Sequence, residues 1–106
     1  MSRLSEVLDR LAATIEARKG ADPSASWTAR LLADPSLAAK KLGEEAVEAA
    51  IAATLKDKDA LAAESADVLY HLLALLAASE VPLDAVAARL EAREGQSGIA
   101  EKAGRS

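Results

Sequence analysis

Acidic side chains recur at helical spacing in two stretches of this chain. Glu44, Glu45 and Glu48 crowd the first, and Glu64 and Asp67 mark the second, with His71 four residues further on. Glu45 with Glu48, and Glu64 with Asp67, are i, i+3 pairs, and such pairs are neighbours on one helix face. The surrounding residues make the acids informative. Positions 37, 41, 44, 48, 51 and 55 form one row reading Leu, Lys, Glu, Glu, Ile, Leu, and the adjacent row of 38, 42, 45, 49 and 52 reads Ala, Leu, Glu, Ala, Ala. In the second stretch, positions 60, 64, 67, 71, 74 and 78 read Ala, Glu, Asp, His, Ala, Ala. Carboxylates therefore interrupt rows that otherwise read as packing seams. If the two helices pack antiparallel, the pairs face each other, and four carboxylates about 5 Å apart repel by about 3 kcal/mol per pair at an effective dielectric near 20. No run of basic residues stands in these rows to offset that, whereas a divalent cation would. All-oxygen ligation selects a hard ion, Mg²⁺ first and Mn²⁺ second. The competing reading is an ordinary solvated helix exterior, where acidic runs usually sit. The matching pair on the second helix weighs against it.

The elements that must position these groups follow from local signals. Leu4, Val7, Leu8, Leu11, Ala12 and Ile15 recur at helical spacing, so residues near 4–18 form a first amphipathic helix, ended at Lys19-Gly20. Asp22-Pro23 falls in a loop, and residues 26–32 make a short second helix. Asp34-Pro35 starts a long third helix, Asp as N-cap and Pro at the first helical position, running to Leu55 or Lys56. Gly43, inside it, costs about 1 kcal/mol relative to Ala, which implies that something needs the space. After the short turn Asp57-Lys58-Asp59, a second long helix capped by Asp57 or Asp59 reaches Ser79 or Glu80. So short a link makes the two long helices antiparallel neighbours. Pro82 restarts the chain into a last helix ending near Glu94. Residues 1–94 thus form one helical domain, and 95–106 a flexible tail carrying Glu101, Lys102 and Arg105.

Composition agrees with an all-α fold. In 106 residues there is no Phe, one Trp and one Tyr, too few large groups to fill a sandwich or barrel core, while Ala and Leu dominate the apolar 51%. The absence of Cys excludes disulfides, thiolate metal sites and a cysteine nucleophile, and one His excludes a multi-His site within the chain. A net charge of −4 argues against nucleic-acid binding. The run Leu72 to Ala78 is far shorter than the roughly 20 residues of a membrane span, and the N-terminus lacks a signal core, so a cytoplasmic protein is expected. Val68, Leu69, Leu72, Leu73, Leu75 and Leu76 leave the second long helix almost without a polar side there. A helix apolar nearly all round needs more cover than one small bundle gives, which predicts a homodimer.

The segments Lys41-Leu42-Gly43-Glu44-Glu45-Ala46-Val47-Glu48 and Glu64-Ser65-Ala66-Asp67-Val68-Leu69-Tyr70-His71 resemble the EExxE…ExxD signature of the MazG-type all-α nucleotide pyrophosphohydrolases. Ser26-Trp27-Thr28-Ala29-Arg30-Leu31-Leu32, Leu72-Leu73 and Ser97 to Ala103 narrow the resemblance to the phosphoribosyl-ATP pyrophosphatase family. That resemblance covers nearly the whole chain. It implies a MazG-like bundle, a dimer, and Mg²⁺-dependent hydrolysis of phosphoribosyl-ATP to phosphoribosyl-AMP and pyrophosphate in histidine biosynthesis. It carries over Glu45, Glu48, Glu64 and Asp67 as metal ligands, with Glu44 a further acid beside them that could take the proton of the attacking water. Departures are small: Trp27 stands where Tyr is expected, Arg30 where Lys is common, Ser65 where Ala is common.

The remaining candidates have a plain and a sharp reading each. Lys41 and Arg30 are either solvated cations or partners of substrate phosphates, and Lys102 and Arg105 of the tail share that choice. His71 reads as a core histidine or one supporting the acids, against the sharper reading of a general base or metal ligand, and Tyr70 and Trp27 read as packing residues, with Trp27 also able to touch a base or ribose. Two other functions fit the pattern: a house-cleaning nucleoside triphosphate pyrophosphohydrolase using the same acids, and a non-catalytic helical dimerisation module.

Overall fold

The computed structural model describes residues 2–95, so the tail with Lys102 and Arg105 lies outside the described residues. Five helices account for nearly all the regular structure: α1 (Arg3–Ala17), α2 (Trp27–Ala33), α3 (Pro35–Thr54), α4 (Lys58–Ala78) and α5 (Leu83–Ala92), with no strand among the described residues. Four start on side-chain caps. Ser2 accepts from Ser5 N at 3.2 Å, Ser26 from Ala29 N at 3.2 Å, Asp34 from Leu37 N at 3.1 Å and Asp57 from Ala60 N at 3.0 Å. Each cap satisfies a backbone donor that the helix leaves unpaired. Of the two aspartates at the central turn, Asp57 is thus the cap.

α3 and α4 pack against each other along their length, joined by residues 55–57. α2 lies across both, and α1 packs on α4. The core sits where α2, α3 and α4 meet: Leu31, Ala38 and Ala74 are fully buried, with Leu37, Tyr70 and Leu75 around them. Ala at both α3 and α4 positions lets the helix axes come close there, since the side chains at the contact set interaxial distance. Ala38 and Ala74 lie equally far in sequence from Lys56, which fixes the register of the pair. α5 buries no residue.

Both long helices end in the same way. Asp57 N bonds to Ala52 O and Lys56 N to Ala53 O, while Val81 N bonds to Leu76 O and Glu80 N to Ala77 O. These are Schellman ends, whose left-handed position Gly usually fills. Here Lys56 (φ 59°) and Glu80 (φ 58°) fill it. Gly20 (φ 80°), by contrast, serves the turn after α1 as expected. Gly43 does not behave as expected. A Cβ there would meet no atom within 4 Å, so nothing in the described chain needs the space.

α4 is long and apolar enough by composition to cross a membrane, a point that its short uninterrupted apolar run conceals. It nonetheless carries Glu64, Asp67 and His71 in one row and packs against α1, α2 and α3, which makes it the central helix of the bundle.

Candidate active site

The capped starts of α3 and α4 set the phase of each helix, and the short turn brings their faces together. As a result Glu45 and Glu48 of α3 meet Glu64 of α4: each offers a carboxylate oxygen, and the three oxygens lie within 4.8 Å of one another. Glu45 and Glu64 are half-buried and Glu48 is exposed, so the cluster opens to solvent on the Glu48 side. Glu64 Oε2 is shielded from solvent and takes no hydrogen bond from any donor among the described residues. Ionised carboxylate oxygens only accept, so this contact needs a proton or a cation between the groups. The acid form of Glu64 is accordingly favoured, and its pKa rises from 4.5 to about 7. Hydrogen bonding to Glu45 is the largest cause, followed by desolvation, then by the hydrogen bond and charge of Glu48.

The donor set fits a hard cation. At metal–oxygen distances of about 2.1 Å, octahedral Mg²⁺ holds adjacent oxygens about 3 Å apart and opposite ones about 4 Å apart, inside the observed spread. Asp67, one turn beyond Glu64, is exposed and is not a member of the three-carboxylate group. Glu44 is exposed beside the cluster and pairs with Lys41 at 3.5 Å. Lys41 also reaches Glu45 at 3.9 Å. Among the described residues, Lys41 is thus the cation paired with the acids.

Arg30, on α2, holds its guanidinium over the Trp27 ring at 5.8 Å. His71 is buried, only 6% exposed, as a core histidine should be. Its Nδ1 donates to the Asp67 carbonyl oxygen at 2.8 Å, and its Nε2 is buried without a partner among the described residues. Its ring meets Tyr70 and Trp27 edge-on, with centroids 4.9 and 6.5 Å apart. Thr28 shares a 2.6 Å hydrogen bond with the Tyr70 hydroxyl and so ties α2 to α4. Sequence reasoning passed over Thr28. The available signal was a Tyr inside an apolar helix, whose hydroxyl must find a partner when buried. A groove of about 600 Å³ lies between α1 and the far end of α4, away from the acids, lined by Ala12, Ala13, Leu73, Leu76 and Leu83. Its walls are mainly apolar, and its charged groups, Glu16, Lys19 and Glu80, stand apart from the cluster.

Fold and site together define an all-α protein organised around carboxylates that two antiparallel helices press against one another. The model of the phosphoribosyl-ATP pyrophosphohydrolase family matches residues 8–94, a span that includes all five acids. The phosphoribosyl-ATP pyrophosphatase of Caulobacter vibrioides is 75% identical over 98% of this chain and 97% of its own length. Its counterpart in Caulobacter sp. (strain K31) is 70% identical, over 99% and 98%, and that of Cereibacter sphaeroides (strain KD131) 67% identical, over 93% and 97%. The chain belongs to the phosphoribosyl-ATP pyrophosphohydrolase family.

Proposed function

We propose that the chain hydrolyses phosphoribosyl-ATP to phosphoribosyl-AMP and pyrophosphate, as a step of histidine biosynthesis in the cytoplasm. Family membership supports the substrate, and the meeting of Glu45, Glu48 and Glu64 across α3 and α4 carries the chemistry. These three carboxylates hold Mg²⁺, or Mn²⁺ in its place, and Asp67 joins them from the next turn of α4. Bound there, the ion polarises phosphate oxygens and lowers the pKa of water. Glu44 takes the proton of the attacking water; a new P–O bond forms, a phosphoanhydride P–O bond breaks, and pyrophosphate leaves. Lys41, held at the edge of the acids by Glu44 and Glu45, turns to the substrate phosphates as they arrive. Lys102 and Arg105 supply further cations for those phosphates in this reading.

A homodimer belongs to the same proposal. Val47, Ile51 and Leu55 of α3 form a row with 53–72% of each residue open to solvent, and Leu90 of α5 is 61% exposed. A second copy would cover such a surface, and the expectation drawn from the apolar α4 points the same way.

Product analysis with phosphoribosyl-ATP, ATP and dUTP side by side, with and without Mg²⁺, tests the proposal. Release of pyrophosphate from phosphoribosyl-ATP alone, and only with the metal, is expected. Preferential hydrolysis of ATP or dUTP would replace this reading with that of a house-cleaning hydrolase.

A further inference from the structure

Trp27 is a large aromatic residue that the fold holds open to solvent, with 43% of it exposed. It is not loose. Its ring meets the buried His71 at 6.5 Å, and Arg30 stands over it at 5.8 Å. His71 is in turn fixed by its bond to the Asp67 carbonyl, and the Thr28–Tyr70 hydrogen bond anchors the start of α2 to α4. A rigid, half-open indole with a cation over it is a stacking platform for another flat ring.

Its position relative to the acids is what gives it a use. Glu64, Asp67 and His71 share one row of α4, and His71 lies about 10 Å beyond Glu64 at 1.5 Å per residue. The register that places Ala38 with Ala74 puts Lys41 at the level of His71, and its ammonium reaches the acids at Glu44 and Glu45. Trp27 of α2 thus meets α4 at His71, seven residues along the helix from Glu64, while Lys41 of α3 reaches toward Glu44 and Glu45. A nucleoside polyphosphate laid along the seam would set its charged end on the carboxylate-bound cation and Lys41, and its base at Trp27.

The geometry points to Trp27 as the residue that stacks the purine ring of the substrate, with His71 and Arg30 holding the indole in place. This rests on the reading of the acids as the phosphate end of the site and adds the base end. It also accounts for an aromatic residue left open while its neighbours Ala29 and Leu31 are buried. The platform reads the base by its flat face, so it selects for a ring system and leaves selection of the phosphoribosyl group to other residues.

Trp27 is the chain's one tryptophan, so its fluorescence reports this position alone. The test titrates the full chain in Mg²⁺ with AMP, which has no phosphoanhydride to hydrolyse, and with ATP, against ribose 5-phosphate and pyrophosphate as base-free probes. Saturable quenching by AMP and ATP, with none by the base-free probes, is expected. Steady-state kinetics add a second readout: Trp27→Leu should raise KM about tenfold to a hundredfold with a smaller change in kcat, and Trp27→Tyr should restore most of the loss. Unchanged emission with both nucleotides, or equal quenching by pyrophosphate, overturns the platform, even where turnover of phosphoribosyl-ATP is normal. Quenching by AMP in a protein that does not hydrolyse phosphoribosyl-ATP keeps the platform and removes the substrate reading instead.

Discussion

The two halves of the α3–α4 seam follow the same helical spacing and do opposite things. Far from the turn, Ala38 and Ala74 cluster with Leu31, all three fully buried. Nearer the turn, the equivalent positions carry Glu45, Glu48 and Glu64, which repel one another and leave Glu64 Oε2 buried without a donor among the described residues. The first half stabilises the bundle, and the second uses that rigidity to hold like charges together. Burying small apolar groups where the axes approach closely resists the splaying that the acids would otherwise cause. Strain at a site of this kind persists only when the surrounding structure holds it in place.

The sharpest way to test that division is to change each half separately. Glu48→Gln and Glu64→Gln keep side-chain size and remove a charge of the proposed metal site. Each should lower turnover of phosphoribosyl-ATP by orders of magnitude, while thermal melting of the metal-free protein holds or rises, because a like charge has left the cluster. Glu80→Gln, at the far end of α4, serves as control and should leave turnover near the parent value. A large loss of stability in the glutamine variants would make the acids structural and collapse the contrast between the halves.

In the apolar half, Leu31→Ala should lower the free energy of unfolding by about 2–5 kcal/mol, read by denaturant titration. Metal affinity of the folded protein should change little. If affinity falls as steeply as stability, the two halves are not separable.

A third effect depends on pH. Glu64 has a pKa of about 7 in the fold against 4.5 as an ordinary carboxyl, so the native state binds its proton more tightly than the unfolded chain does. The resulting stabilisation is complete below about pH 4.5 and is lost as pH rises through about 7. Melting of the metal-free protein between these limits should fall with pH, and Glu64→Gln should flatten the slope. Added Mg²⁺ should displace the proton and reverse the trend toward neutral pH.

The smallest effect concerns the turn that sets the register of both halves. Lys56 holds φ 59° at the end of α3. Lys56→Gly removes the left-handed penalty and should stabilise the fold by up to about 1 kcal/mol, with turnover unchanged. A loss of stability would mean that the Lys56 side chain makes contacts that matter more than the backbone.

Much of this architecture was legible in the sequence because its determinants are local. Asp34-Pro35 and the Asp57 turn mark helix starts through caps that act over three residues, and the interruption of apolar rows by Glu45, Glu48 and Glu64 singled out carboxylates that the fold brings together. What escaped depends on contacts between elements. That Asp67 lies outside the close group and that Thr28 meets Tyr70 are consequences of helix rotation and register, which periodicity alone leaves open. Gly43 shows the converse: an expected close neighbour is missing from the described chain. The left-handed Lys56 and Glu80 were illegible for another reason, since Gly is the usual signal for that conformation and neither residue carries it.

The central claim is that Glu45, Glu48 and Glu64 form a metal site, and Mn²⁺ binding to the metal-free protein tests it most directly. Calorimetric titration should show saturable binding, with proton release below neutral pH as Glu64 ionises, and a rise in melting temperature that grows with the logarithm of free Mn²⁺. Glu64→Gln should lose most of that affinity while remaining folded. Equal Mn²⁺ binding by the parent and by Glu64→Gln would contradict the account.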